Sequence, residues 1–192
     1  MKIIYGTSNA AKLEYMRKTL SGLSVEILSP SQAGISLPEV EESAETPLAN
    51  ARAKALVYSK AAELPVFSCD NGLYFDNLPE KEPAAFVRRP FGQRLNDAQM
   101  TAYYAGLAKK YGGIIAQYKN AVCLVASGRV FEAEICGRKF LLTDKPHPKA
   151  VEGFPLSRLS VNLRTVRYFM TKSRRSSPTA GLYGFSKMRS KK

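Results

Sequence analysis

The sequence predicts an α/β protein, and three observations carry that expectation. The chain opens with a short apolar run, Ile3-Ile4-Tyr5, that breaks at Gly6 into the small polar residues Thr7, Ser8 and Asn9 and then takes up a helical pattern. Strand-type and helix-type segments alternate along much of the remaining chain. A length of 192 residues suffices for one α/β domain, or for two small lobes with a real core.

From Ala10 the apolar residues Leu13, Met16 and Leu20 recur at helical spacing. A strand that ends in a small polar loop and opens a helix presents backbone N–H groups that attract anions, phosphates above all. Lys12 falls in the first turn, where a cation opposes the helix dipole. A phosphate held at that helix end gives it a reason; the alternative is an ordinary turn with a solvated lysine. Residues 25–28 read as a second strand beside the first, and 29–37 as a loop with Pro30 and Gly34. An acidic cluster, Glu39, Glu41, Glu42 and Glu45, precedes a helix over about 47–63, with Thr46 as N-cap and Pro47 at the first helical position. Acids before a helix commonly serve only its dipole. Ala49, Ala51, Ala53 and Ala55 allow close packing, and Asn50 and Lys54, four apart, share a face.

Residues 64–69 (LPVFSC) read as a buried strand ending at Asp70-Asn71-Gly72. That tripeptide is turn chemistry, and Leu73, Phe75 and Leu78 resume an alternating strand after it. The carboxyl end of a central strand is also where α/β proteins place chemistry, so Asp70 is either a turn residue or a functional one. Arg88 and Arg89 are either a phosphate grip or a solvated pair near Pro90. Asn96, with Gln99 in capping-box position, starts a third helix with the stripe Met100, Tyr103, Tyr104 and Leu107, ended by Gly112-Gly113. Strands are expected over 121–126, 130–136 and 139–142, with a hairpin at Ser127-Gly128. Phe131, Ala133 and Ile135 alternate with Glu132 and Glu134, as in a sheet with one wet face.

No window holds some eighteen uncharged apolar residues, so no membrane span is expected. A strand that begins within two residues of Met1 leaves no room for a signal peptide. Cys69, Cys123 and Cys136 are odd in number and at no metal spacing, which implies reduced thiols and a cytoplasmic protein. His147 is the single histidine, lying between Pro146 and Pro148, which excludes a multi-histidine metal site. The net charge is +13, and seven lysines and arginines with no acid lie in 172–192. A single domain over 1–171 is expected, followed by a basic tail at 172–192, read as a solvated end in preference to a nucleic-acid-binding segment. The remaining positive charge suits a polyanionic small molecule. The loop at Thr7–Lys12, the acids Glu41, Glu42 and Asp70, and the cations Lys54, Arg88 and Arg89 together suggest a cleft protein. Acids beside phosphate-binding cations imply a divalent ion, most often magnesium.

The order of these motifs resembles the inosine triphosphate pyrophosphatase (Ham1-like) family. Thr7-Ser8-Asn9-Ala10-Ala11-Lys12 is similar to that family's Thr-Gly-Asn-x-x-Lys loop, with Ser8 where glycine is usual. Glu41-Glu42 through Thr46, then Asn50-Ala51 and Lys54-Ala55, resembles its Glu…Thr…Asn-Ala-x-x-Lys-Ala segment. Leu64-Pro65-Val66 followed by Cys69-Asp70-Asn71-Gly72-Leu73 resembles its Leu-Pro-x…Asp-Asp-Ser-Gly-Leu segment, and residues 83–89 stand where it has Pro-Gly-x-Tyr-Ser-x-Arg. The likeness covers roughly residues 1–155.

The resemblance implies an elongated mixed β-sheet flanked by helices, two lobes with a central cleft, and a homodimer. It implies Mg²⁺-dependent hydrolysis of non-standard purine nucleotides (ITP, dITP, XTP) to the monophosphate and pyrophosphate. Lys12 and the Thr7, Ser8 and Asn9 backbone would hold the triphosphate. Asp70, Glu42 and, as a substitute, Glu41 would bind metal, and Asp70 would also position or deprotonate water. Lys54 and Arg88 or Arg89 would neutralise phosphate charge, and Gly153 and Phe154 belong to the base-side segment. Three departures stand out. Cys69 replaces the first acid of the Asp-Asp pair, Gly153-Phe154-Pro155 lacks the base-reading aspartate, and the terminal Ser-His-Arg motif is absent. They leave two further readings: a nucleotide-binding relative with little turnover, and a nucleic-acid-binding protein acting through the tail.

Overall fold

β1 (Lys2–Tyr5) buries Ile3, Ile4 and Tyr5 and lies parallel to both β2 (Glu26–Leu28) and β3 (Val66–Phe75). The computed structural model describes residues 1–40 and 43–170; Glu41, Glu42 and the tail at 172–192 lie outside it. Between β1 and β2 the chain crosses over through α1 (Ala10–Leu20), of which Met16 is the buried residue. The remaining strands are β4 (Ile114–Ala126), β5 (Arg129–Cys136), β6 (Phe140–Leu142) and β7 (Ser160–Asn162). They form one mixed seven-stranded sheet in the order β2-β1-β3-β4-β6-β7, with β5 paired to β4. The expected α/β class and mixed sheet are both present.

Helix boundaries follow local chemistry. α2 (Pro47–Ser59) starts where predicted, with the Thr46 side chain accepting from the Ala49 N–H and Pro47 at the first position. It ends a turn short of residue 63. Leu64 precedes Pro65, whose ring disfavours helical backbone before it, and the chain leaves through tight bonds such as Lys60 N–H to Val57 O. α3 (Asp97–Tyr111) shows both halves of the Asn96/Gln99 capping box, and Gly112 at φ 71° supplies the left-handed C-cap.

Three expectations are corrected. Asp70-Asn71-Gly72 is not a turn: β3 runs straight through it. Residues on both faces of this strand, from Val66 to Cys69 and at Leu73 and Phe75, are buried, so tertiary burial overrides local turn preference. β4 begins at Ile114, directly after Gly112-Gly113, because Ile114 and Ala116 bury alternately against β6. Phe131 is 46 % exposed although Ala133 and Ile135 on the same strand are half-buried, and the Arg129 guanidinium lies over its ring. β7 carries no expectation from sequence; at three residues it is too short for periodicity to register.

The chain divides into two units, Met1–Asp70 with Asn120–Ile135, and Asn71–Lys119 with the chain from Cys136 onward. In the first, Ile4, Tyr58 and Val66 form one core cluster, and Ala51 and Ala55 of α2 pack on Ala121 and Cys123. The second has its own core, built from Leu73, Phe75, Met100, Tyr104, Phe140 and Leu142 among others. Among the described residues no helix is long and apolar enough to cross a membrane, and all three cysteines are free.

Candidate active site

In the first unit the end of β1 is held against β3 by the Gly6 N–H donating to Phe67 O at 2.8 Å. Only glycine fits here, since a Cβ would stand 2.4 Å from Tyr58 Cδ2 and 2.6 Å from Ser68 Oγ. The sequence marks Gly6 only as a strand breaker; its packing role needs Tyr58, fifty-two positions away. The loop then closes on itself. The Asn9 N–H donates to Thr7 Oγ1 at 3.2 Å, and Asn9 Oδ1 accepts the Lys12 N–H at 3.2 Å. Thr7 and Asn9 therefore build the turn with their side chains, and Ser8 is exposed. The first-turn N–H groups of Ala10 and Ala11 have no intrahelical acceptor, which is the anion-attracting arrangement of a helix start.

α2 delivers the second part. Asn50 and Lys54 share its buried face, as their spacing predicts. Asn50 both donates to Ala44 O and accepts from the Ala44 N–H, each at 3.1 Å, fixing the segment that enters α2. Lys54 Nζ donates to Asp70 Oδ1 at 3.3 Å and to Cys69 O at 3.4 Å. The two side chains are only 9 % and 12 % exposed, so this is a largely buried ion pair.

Cys69 reports on its neighbours. Burial pushes its thiol up to about 12, opposed by the Tyr5 hydroxyl and by the positive charges of Lys12 and Lys54, and reinforced by Asp70. Lys12, Lys54 and Asp70 thus act electrostatically on one thiol. Cys69 is neutral at physiological pH and contributes no charge where the related family has an acid. The Tyr5 hydroxyl is fully buried beside it without a well-aligned hydrogen bond, and its own ionisation is pushed up first by burial, then by Cys69 and Asp70. The positive charges of Lys12 and Lys54 and the carboxylate of Asp70 are thus all felt at the Cys69 thiol.

No three His, Cys, Asp or Glu side chains converge among the described residues. Magnesium does not require such a cage. It commonly takes one or two carboxylates together with substrate phosphates and water, and the hard oxygens of Asp70 fit that role. Glu41 and Glu42 lie outside the described residues.

The second unit gathers Arg88 and Gly153 around a residue that sequence reading missed. Asp97 Oδ1 accepts from Arg88 Nη2 at 2.8 Å and Asp97 Oδ2 accepts from the Gly153 N–H at 2.7 Å. Arg88 also donates to Gly153 O and to Leu95 O, both at 3.4 Å. Arg88 is thereby committed to a three-residue ring that pins the loop of Gly153 and Phe154. The sequence signal was present: an acid at the first position of α3 is ordinary dipole chemistry, which conceals a second use. Arg89 and Phe154 are half-buried.

A strand–loop–helix opening and a largely buried Lys–Asp pair on one mixed sheet mark an α/β protein. A family model for the Ham1 family matches residues 3–147, and the chain belongs to that family. Its relatives include a dITP/XTP pyrophosphatase of Rhodopseudomonas palustris, 31 % identical over 139 residues, covering 69 % of this chain and 65 % of the relative. Another, from Anaeromyxobacter, is 36 % identical over 78 residues, 41 % of this chain and 34 % of the relative. The chain thus matches between a third and just under two thirds of the length of these two relatives. In fold it is similar to a HAM1 protein of Coxiella burnetii, with a TM-score of 0.77, 17 % identity and coverage of 98 % of this chain and 96 % of that one.

Proposed function

We propose that the protein is a Mg²⁺-dependent nucleoside triphosphate pyrophosphatase acting on non-standard purine nucleotides (ITP, dITP, XTP). Water attacks the α-phosphorus and the bond to the bridging oxygen breaks, giving the monophosphate and pyrophosphate. The observation that carries this reading is the largely buried Lys54–Asp70 ion pair at 3.3 Å, with the Lys12 charge acting on the adjacent Cys69 thiol. Family membership and the names of the relatives support the choice of substrate.

Lys12 and the backbone of Thr7, Ser8 and Asn9 hold the triphosphate, and Lys54 offsets charge that builds on its oxygens during attack. Asp70 orients the attacking water and takes its proton. A magnesium ion, when bound, neutralises phosphate charge; Asp70, with Glu42 or Glu41, would hold it. By the family resemblance one of Arg88 and Arg89 neutralises phosphate charge, and the ring that Arg88 forms with Asp97 and Gly153 favours Arg89 for it; Gly153 and Phe154 belong to the base side. The reading also includes one catalytic domain over 1–171, a homodimer and a cytoplasmic setting.

The test is a nucleotide panel (ITP, dITP, XTP, ATP, GTP) assayed for pyrophosphate with and without magnesium. The expected result is metal-dependent release from ITP, dITP and XTP, falling on the order of 10²–10³-fold in Asp70→Asn. Nucleotide binding that raises the melting temperature with no pyrophosphate from any member contradicts it.

A further inference from the structure

The pyrophosphatase reading absorbs Lys12, Lys54 and Asp70 but not the charge of the second unit. From residue 136 to 170 there are seven lysines and arginines against only Asp144 and Glu152. β6 and β7 pair antiparallel, with Phe140 opposite Asn162, Leu141 opposite Val161 and Leu142 opposite Ser160. Arg138 and Lys139 immediately precede β6, and Leu163 and Arg164 stand on the turn that follows β7. Arg138, Lys139, Asn162, Leu163 and Arg164 together line a cavity of about 340 Å³.

Within this cavity Lys139 has its own acid, Asp76, at 2.6 Å. Arg164 has no ion pair among the described residues and is exposed. Its position is nevertheless fixed. Asn162 Oδ1 accepts the Arg164 N–H at 2.8 Å and the Thr165 N–H at 3.1 Å, so the turn that carries the guanidinium is tied at its base. That use of Oδ1 leaves the amide Nδ2 of Asn162 as a further donor. Leu163, 44 % exposed, and Val166, 78 % exposed, add apolar surface on the same turn.

We propose that this cavity is a binding site for the phosphates of a single-stranded nucleic acid. The guanidinium groups of Arg138 and Arg164, which line one cavity, match phosphate oxygens through paired donors. A strand in place of a lone phosphate is favoured by the charge of the segment, which far exceeds what one phosphate neutralises, and by the apolar side chains beside the cations, which suit unstacked bases. The proposal is independent of the pyrophosphatase reading.

The test uses the full chain and a fluorescein-labelled twelve-residue oligodeoxythymidylate, followed by anisotropy between about 50 and 200 mM salt. The wild type is expected to bind with a steep salt dependence. Arg138→Ala/Arg164→Ala should weaken binding at least tenfold at the low-salt end and reduce the slope of log K against log salt by about 1.4, two single-strand phosphate contacts. Arg138→Lys/Arg164→Lys should keep most of the slope. Melting temperature and ITP hydrolysis should be unchanged in both variants, which separates failure here from failure of the pyrophosphatase reading. The cations of 172–192 are present in every protein compared and cancel. Equal affinity and slope in the alanine variant overturn the proposal. So does binding of inorganic pyrophosphate, lost in the alanine variant, without any binding of the oligonucleotide.

Discussion

The two units treat their site cations in opposite ways. In the first, the ammonium groups of Lys12 and Lys54 and the one carboxylate of Asp70 act on a single thiol, and the thiol itself is neutral. In the second, Arg88 is paired at 2.8 Å with the Asp97 carboxylate, which also accepts the Gly153 N–H, and it donates to two backbone carbonyls besides. In the first the cations surround a neutral thiol; in the second the cation is bonded to a carboxylate and holds a loop in place. The residue type alone does not say which role a cation plays. Its partners do.

The sharpest way to break this comparison is Lys54→Met. Removing one member of a largely buried pair strands Asp70, and such losses cost about 3–5 kcal/mol of stability. Urea unfolding should show a loss of that size in the unfolding free energy; a loss below about 1 kcal/mol, the range of exposed pairs, would mean that the pair is solvated.

Asp97→Ala tests the other side. The pair it forms with Arg88 is 30 % and 38 % exposed, so the expected loss of stability is only about 0.5–1 kcal/mol. The larger consequence is positional: Gly153 and Arg88 both lose their tether, and KM for ITP should rise more than kcat falls. An unchanged KM would show that the ring does not shape substrate binding.

The smallest effect concerns Cys69. Its thiol is held up at about 12 by burial, so its neutral form contributes stability that is complete below the unfolded value near 9 and is lost as pH rises toward 12. Iodoacetamide at pH 8 should label the exposed Cys136 and leave Cys69 unmodified in the folded protein, which mass spectrometry would read directly. Rapid labelling of Cys69 would show a thiolate in the cluster and a different charge balance.

Much of this was legible in the sequence. The Asn96/Gln99 capping box, the Thr46-Pro47 start of α2 and the shared face of Asn50 and Lys54 are local or periodic signals, and the structure reproduces each. Asp70-Asn71-Gly72 misled because its turn chemistry is local while the burial of β3 is not. Asp97 and Gly6 act through partners fifty or more residues away, Gly153 in one case and Tyr58 in the other, so no window of sequence contains their roles.

The central claim is that the opening turn of the chain holds the triphosphate. It is tested most directly by comparing pyrophosphate release from ITP in Lys12→Met and Lys18→Met, two lysines on the same helix. The account predicts a loss on the order of 10²-fold in kcat/KM for Lys12→Met, with Lys18→Met equal to the wild type. Equal activity in the two variants would contradict it.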